Sequence, residues 1–173
     1  MEKAIGRLKS AGALTVRAME VLPEARLAEL IRSSGYYNQK ARKLKAFLGY
    51  LRQRHAGSLK RMFRTETQQL RRELLAIPGI GEETADSMLL YGGAHPIFVV
   101  DAYTRRILER HQLIGASASY QDTQQFFQGQ IPPIAPVYNE FHALLVAAGK
   151  EHCLRSAPRC AGCPLERFPH RVE

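Results

Sequence analysis

Apolar residues recur along most of this chain at spacings of three and four, the period of one helix face. Residues 2–11 already carry that pattern, as a helix under way from the first positions. Residues 23–33, PEARLAELIRS, open with Pro23, which suits a first helical turn, and stop before Gly35. Over 37–55, Leu44, Phe47, Leu48 and Leu51 fall on one side of a long amphipathic stretch, with basic residues elsewhere. Thr65 is placed to cap a helix over 65–76, which Pro78-Gly79-Ile80-Gly81 break. The helical pattern resumes over 83–92 and ends at Gly92-Gly93. Ile97 to Val100 form a short continuous apolar run, read as buried, and Asp101 starts a helix to about His111. Helices over 120–129 and 134–149 are separated by Pro132-Pro133. Strand signals are too few to build a sheet, so the predicted fold class is all-α.

Composition narrows the picture. At 173 residues and 45% hydrophobic, the chain is long enough to bury a core and too apolar for wholesale disorder. No apolar run approaches the roughly 18 residues of a membrane span, and no secretory leader opens the chain. The expectation is a cytoplasmic protein, nucleoid-associated if bacterial, with no membrane partner. Three cysteines cannot close a disulfide framework, and there is no tryptophan. The net charge of +9 is uneven: residues 1–60 hold 13 basic and 4 acidic side chains, and the remainder is balanced. Its densest part is Lys40, Arg42, Lys43, Lys45, Arg52, Arg54 and Lys60. Such a surface attracts nucleic acid; the alternative is a solvated helix face kept soluble by charge.

The segment Ile77-Pro78-Gly79-Ile80-Gly81-Glu82-Glu83-Thr84-Ala85 predicts a tight turn opening a second helix. Its two glycines permit unusual backbone conformations, and its free N–H groups suit a phosphate oxygen. Ile77 and Ile80 anchor it inward. It continues through Asp86, Tyr91 and Pro96 to Phe98-Val99-Val100-Asp101-Ala102-Tyr103-Thr104-Arg105-Arg106. That arrangement resembles the helix–hairpin–helix DNA glycosylases of the endonuclease III superfamily. Gly35 to Ala41, Tyr138 to His142 and the terminal cysteines resemble further parts of the same family, so the likeness covers nearly the whole chain. It implies two helical subdomains flanking a DNA cleft, residues 1–97 with the hairpin at 77–85 and residues 98–173 with a cysteine loop at 153–170. It also implies a monomer acting on double-stranded DNA that contains damaged bases. Phosphate contact is expected from Pro78, Gly79, Ile80, Gly81, Thr84, Lys40, Lys43 and Arg105.

Asp101, read from the residues alone, is a helix N-cap. The resemblance implies a second role, since it matches the family's catalytic aspartate. Breaking an N-glycosidic bond builds positive charge on the sugar, which a placed carboxylate stabilises. Bifunctional members carry a lysine in the second hairpin helix that forms an imine with the sugar. Here that position is Glu83, which implies a monofunctional enzyme with water as nucleophile. The run Gly81 to Asp86 resembles the branch that removes 3-methyladenine and related alkylated purines, and Lys150 falls near a functional lysine of that branch. Lys150 is equally placed to act on the helix dipole as an exposed C-terminal residue. The alternatives are an endonuclease III-type glycosylase and lyase for oxidised pyrimidines, or a catalytically dead DNA-binding remnant.

Cys153-x6-Cys160-x2-Cys163 matches the first three ligands of the family's iron–sulfur loop. The fourth should fall at Pro169, and the neighbouring His170 is chemically able to ligate. The expectations left open are a [4Fe–4S] cluster with an incomplete ligand set, a zinc site using Cys153, Cys160, Cys163 and His170, or no metal. The family's domain is expected to begin a few dozen residues before the point matching Met1, with aromatic residues for the base pocket in that segment. The absence of tryptophan fits such a loss. His55, His95, His111, His142 and His152 are read as surface or core packing residues without a catalytic role, and Tyr36 and Tyr37 as core packing, with base stacking the alternative.

Overall fold

The computed structural model describes residues 2–171. Among them it is helical, with no strand, and no helix is long and apolar enough to cross a membrane. The chain packs as two compact units, Met1–Gly81 and Glu82–Glu173. The division falls inside the hairpin, well before the boundary at residue 97 that the sequence suggests.

The first unit holds α1 (Glu2–Ser10), α2 (Val16–Val21), α3 (Glu24–Leu30), α4 (Tyr37–His55), α5 (Leu59–Met62) and α6 (Thr67–Leu75). Ala4 and Leu8 of α1 bury against Leu27, Ala28 and Leu30 of α3 and Ala41 of α4. Burying side chains of this size is the main source of stability, at roughly 1.5–3 kcal/mol for each Leu removed from water. The long basic helix lies over 37–55 as its periodicity predicts. The short α2 and α5 are not legible as periodic stretches. Serine and threonine start them: Thr15 Oγ1 accepts from Ala18 N and Ser58 Oγ from Arg61 N. The cap of α6 is Glu66, not Thr65. Its two carboxylate oxygens accept from the N–H groups of Gln68 and Gln69, each at 2.9 Å, satisfying two donors where Thr65 reaches none.

Much of the basic charge on α4 is engaged inside this unit. Lys45 Nζ donates to the carbonyls of Met19, Glu20 and Leu22, closing the end of α2. Arg52 pairs with Glu20 at 3.0 Å, and Lys40 donates to Ser34 O at 2.5 Å. The charge excess is therefore partly architectural.

The second unit holds α7 (Glu82–Ser87), a π-helical turn (Met88–Gly92), α8 (Ala102–Arg110), α9 (Tyr120–Gln128) and α10 (Ala135–Glu151). The stretch expected as one helix over 83–92 thus widens after Ser87. The wider turn buries the adjacent Leu89 and Leu90 while leaving Tyr91 half exposed. Phe98 is the centre of the core: it stacks on Phe127 at 4.1 Å between centroids and meets Tyr138 edge-on at 5.5 Å. Helices α8 and α10 approach closely at the buried Gly149. A methyl group there would lie 2.6 Å from Tyr103, so this glycine serves close packing.

Candidate active site

The hairpin ends the first unit. Ile77 and Ile80 are buried and the N–H of Ile80 donates to Ile77 O, closing the turn. Gly79 sits at φ +86°, a conformation that side chains resist, and the methylene stem of the exposed Lys43 lies across it. A Cβ at Gly79 would be 2.8 Å from Lys43 Cγ. Gly81 has no positive φ and open space around it, so only Gly79 requires glycine for its backbone conformation. Of the basic residues expected near DNA, Lys43 is held at the hairpin, while Lys40 is tied to Ser34.

Beyond the hairpin, Glu83 and the exposed Thr84 lie on α7. Burial, and then the nearby charge of Asp101, push the carboxyl of Glu83 above its ordinary pKa. Asp101 stands at the N-cap of α8 with extended backbone, and its Oδ1 accepts from Thr104 N at 2.8 Å. The Asp101 side chain is 14% exposed. Arg105 pairs with Glu109 along α8 at 3.6 Å, and Lys150 is exposed in the last turn of α10.

A buried polar network fixes the segment leading into Asp101. Asp86 Oδ2 accepts from Tyr120 Oη at 2.8 Å and from Gln124 Nε2 at 2.7 Å. The same amide donates to Phe98 O at 2.6 Å, and Tyr120 Oη accepts from Val100 N at 3.3 Å. Gln128 accepts from Phe98 N. This extended run has no sheet partner among the described residues, so side chains of α9 supply its hydrogen bonds, and Asp86 of α7 holds two of them, Tyr120 and Gln124, in place.

His142, read from the sequence as packing only, lies beside Asp101. Its Nε2 is 3.8 Å from Asp101 Oδ2, and its Nδ1 is 2.5 Å from Tyr91 Oη. Burial lowers the imidazole pKa, against the pull of Asp101 upward. Burial, then the charges of Asp101 and Glu83, raise that of Tyr91. The signal was present: Tyr138, His142, Leu145 and Gly149 form the buried stripe of α10, and a histidine on such a stripe is a candidate for a specific partner.

The three cysteines are free thiols and share, with His170, the wall of a cavity of about 30 Å³. Among the described residues, no three His, Cys, Asp or Glu side chains converge to hold a metal ion. Pro169 stands where a fourth cysteine would fall, and its carbonyl faces His111 Nδ1 at 2.9 Å. His170 Nδ1 is engaged with Phe168 O. The residues as placed do not fit a cluster or a zinc ion. The loop is held by arginines of α8 instead. Arg106 donates to Cys153 O and Gly149 O, and Arg110 to Leu154 O, Arg155 O and Cys153 Sγ.

Comparison with known proteins places this geometry. The model of the HhH-GPD superfamily of base excision DNA repair proteins matches residues 1–133. A Methanocaldococcus jannaschii protein provisionally named a DNA repair glycosylase is 39% identical over 170 residues, covering 97% of this chain and 76% of its own length. Endonuclease III of Sulfolobus acidocaldarius is 30% identical over 142 residues, covering 82% of this chain and 60% of its own length. Among solved structures, a trapped covalent intermediate of endonuclease III with DNA superposes with a TM-score of 0.79 at 25% identity, over 96% of this chain and 73% of that one. The H. pylori 3-methyladenine DNA glycosylase bound to 1,N6-ethenoadenine superposes with a TM-score of 0.76 at 28% identity, over 88% and 77%. The chain belongs to the HhH-GPD superfamily of base excision repair DNA glycosylases.

Proposed function

We propose that this protein is a monofunctional glycosylase that hydrolyses the bond between deoxyribose and an alkylated purine flipped out of duplex DNA. The observation that carries this reading is the pair of carboxylates, Asp101 at the N-cap of α8 and Glu83 near it on α7, with no lysine at the Glu83 position. A carboxylate cannot form the imine on which strand cleavage depends. Asp101 stabilises positive charge on the sugar as the bond to the base breaks and its electron pair leaves with the base. Water bonds to the sugar carbon, and Asp101 takes its proton. An alkylated, cationic base leaves neutral and needs no proton of its own. Pro78 to Gly81 and Lys43 hold the phosphate backbone. The choice of alkylated purines is supported by the run Gly81 to Asp86 and by the likeness to the 3-methyladenine enzyme.

The endonuclease III relatives favour a second reading, a glycosylase and lyase for oxidised pyrimidines. Duplexes carrying 3-methyladenine, oxidised pyrimidines and mismatches, scored for base release and for borohydride-trapped adducts, separate the two. Release of 3-methyladenine without an adduct is expected. Release of an oxidised pyrimidine with a robust adduct would overturn the proposal.

A further inference from the structure

We propose that His142, oriented by Tyr91, is the positioning residue of Asp101, presenting an Nε2–H to Oδ2 and so fixing the direction in which this carboxylate faces the sugar. The inference rests on the reading of Asp101 as the catalytic carboxylate. It begins with an uneven division of labour between the two oxygens. Oδ1 is committed to the cap, accepting from Thr104 N at 2.8 Å. Oδ2 is the oxygen left for chemistry, and His142 Nε2 at 3.8 Å is the ring nitrogen beside it. That nitrogen is buried and has no hydrogen-bond partner. A buried imidazole nitrogen at that distance either carries a proton toward the carboxylate or opposes it with a lone pair. Only the first is attractive.

Tyr91 decides between them. Its phenol lies 2.5 Å from Nδ1 on the far side of the ring. A phenol that keeps its proton donates it to Nδ1, which leaves the single proton of a neutral imidazole on Nε2. The surroundings favour both conditions. Burial and the charges of Asp101 and Glu83 hold the phenol protonated, and burial favours the neutral imidazole. Phe98 covers the ring edge-on at 6.3 Å between centroids. The order Tyr91, His142, Asp101 therefore transmits a tautomer choice from the half-exposed π-helical turn to the cap of α8. The gap of 3.8 Å closes when a sugar is bound, since such contacts are often long without substrate.

Two measurements test this. Nitrogen-15 NMR of the imidazole reads the tautomer directly and needs no activity. The Nε2–H form is expected, with a shift away from it in Tyr91→Phe; the Nδ1–H form in the unmodified protein overturns the proposal. Single-turnover base release is the second. His142→Ala is expected to slow it on the order of tenfold to a hundredfold with duplex affinity unchanged, and His142→Gln, which keeps an N–H at similar reach, to recover part of the rate. Equal rates in His142→Ala and the parent, or no difference between Ala and Gln, would overturn it. If the parent releases no base from any duplex, the functional reading fails, and the tautomer still decides this one.

Discussion

The carboxylate of Asp101 accepts a hydrogen bond from the backbone N–H of Thr104 at 2.8 Å, so the residue proposed for chemistry also starts α8. The two roles separate by substitution. Asp101→Ala removes the cap and is expected to cost about 1 kcal/mol of stability. Asp101→Asn keeps an acceptor of the same reach and should stay within a few tenths of a kcal/mol of the parent. Urea denaturation of both variants checks this; equal losses would mean the cap contributes nothing.

In the proposed function, Glu83 takes the position at which an amine would allow strand cleavage. Glu83→Lys is expected to create a borohydride-trappable adduct on abasic-site DNA, where the parent gives none. An amine there condenses with the sugar aldehyde, water leaves, and borohydride reduces the imine. A strong adduct in the parent, or none in the variant, contradicts the assignment of this position.

Asp86 holds the approach to Asp101 through Tyr120 and Gln124. Asp86→Ala leaves buried donors unpaired and should cost roughly 2–4 kcal/mol, while Tyr120→Phe should cost about 1 kcal/mol. Thermal melts give the ranking. Proton exchange at the amides of Phe98 and Val100 should quicken in both, and unchanged protection would show that the network does not hold this run.

The first unit contains a pH-sensitive cluster. Glu73 accepts from Tyr50 Oη at 2.7 Å, and this bond, followed by one from Gln69, lowers its pKa below the ordinary 4.5. A depressed carboxylate contributes stability that is fully present above its unfolded value and lost as pH falls through the folded one. Tyr50→Phe should therefore destabilise at pH 7 by about 1–2 kcal/mol, with the difference shrinking below pH 4.5. A difference that grows on acidification would show the sign to be wrong.

Much of this architecture is legible in the chain because local rules agree with it. The long stripe of α4, the cap at Asp101 and the hairpin at Pro78-Gly79 are each set by neighbours close in sequence. What escapes the sequence depends on partners far along it. Glu66 outcompetes Thr65 because its longer side chain reaches two N–H groups. Lys45 reads as surface charge until it meets the carbonyl end of α2. His142 reads as packing until α10 sets it beside Asp101, 41 positions away along the chain by numbering and 3.8 Å away in space. The cysteine spacing reads as a metal loop, yet among the described residues no three His, Cys, Asp or Glu side chains are placed to hold a metal ion, and arginines of α8 hold the loop.

In the proposed mechanism Asp101 carries out base removal, and the DNA grip lies elsewhere, at the hairpin and Lys43. Single-turnover release of 3-methyladenine from a duplex, compared between the parent and Asp101→Asn alongside duplex binding, separates the two roles. Loss of release by at least roughly a hundredfold with binding retained is the expected result. Release at the parent rate in Asp101→Asn would contradict the claim, as would the absence of release from any damaged duplex by the parent.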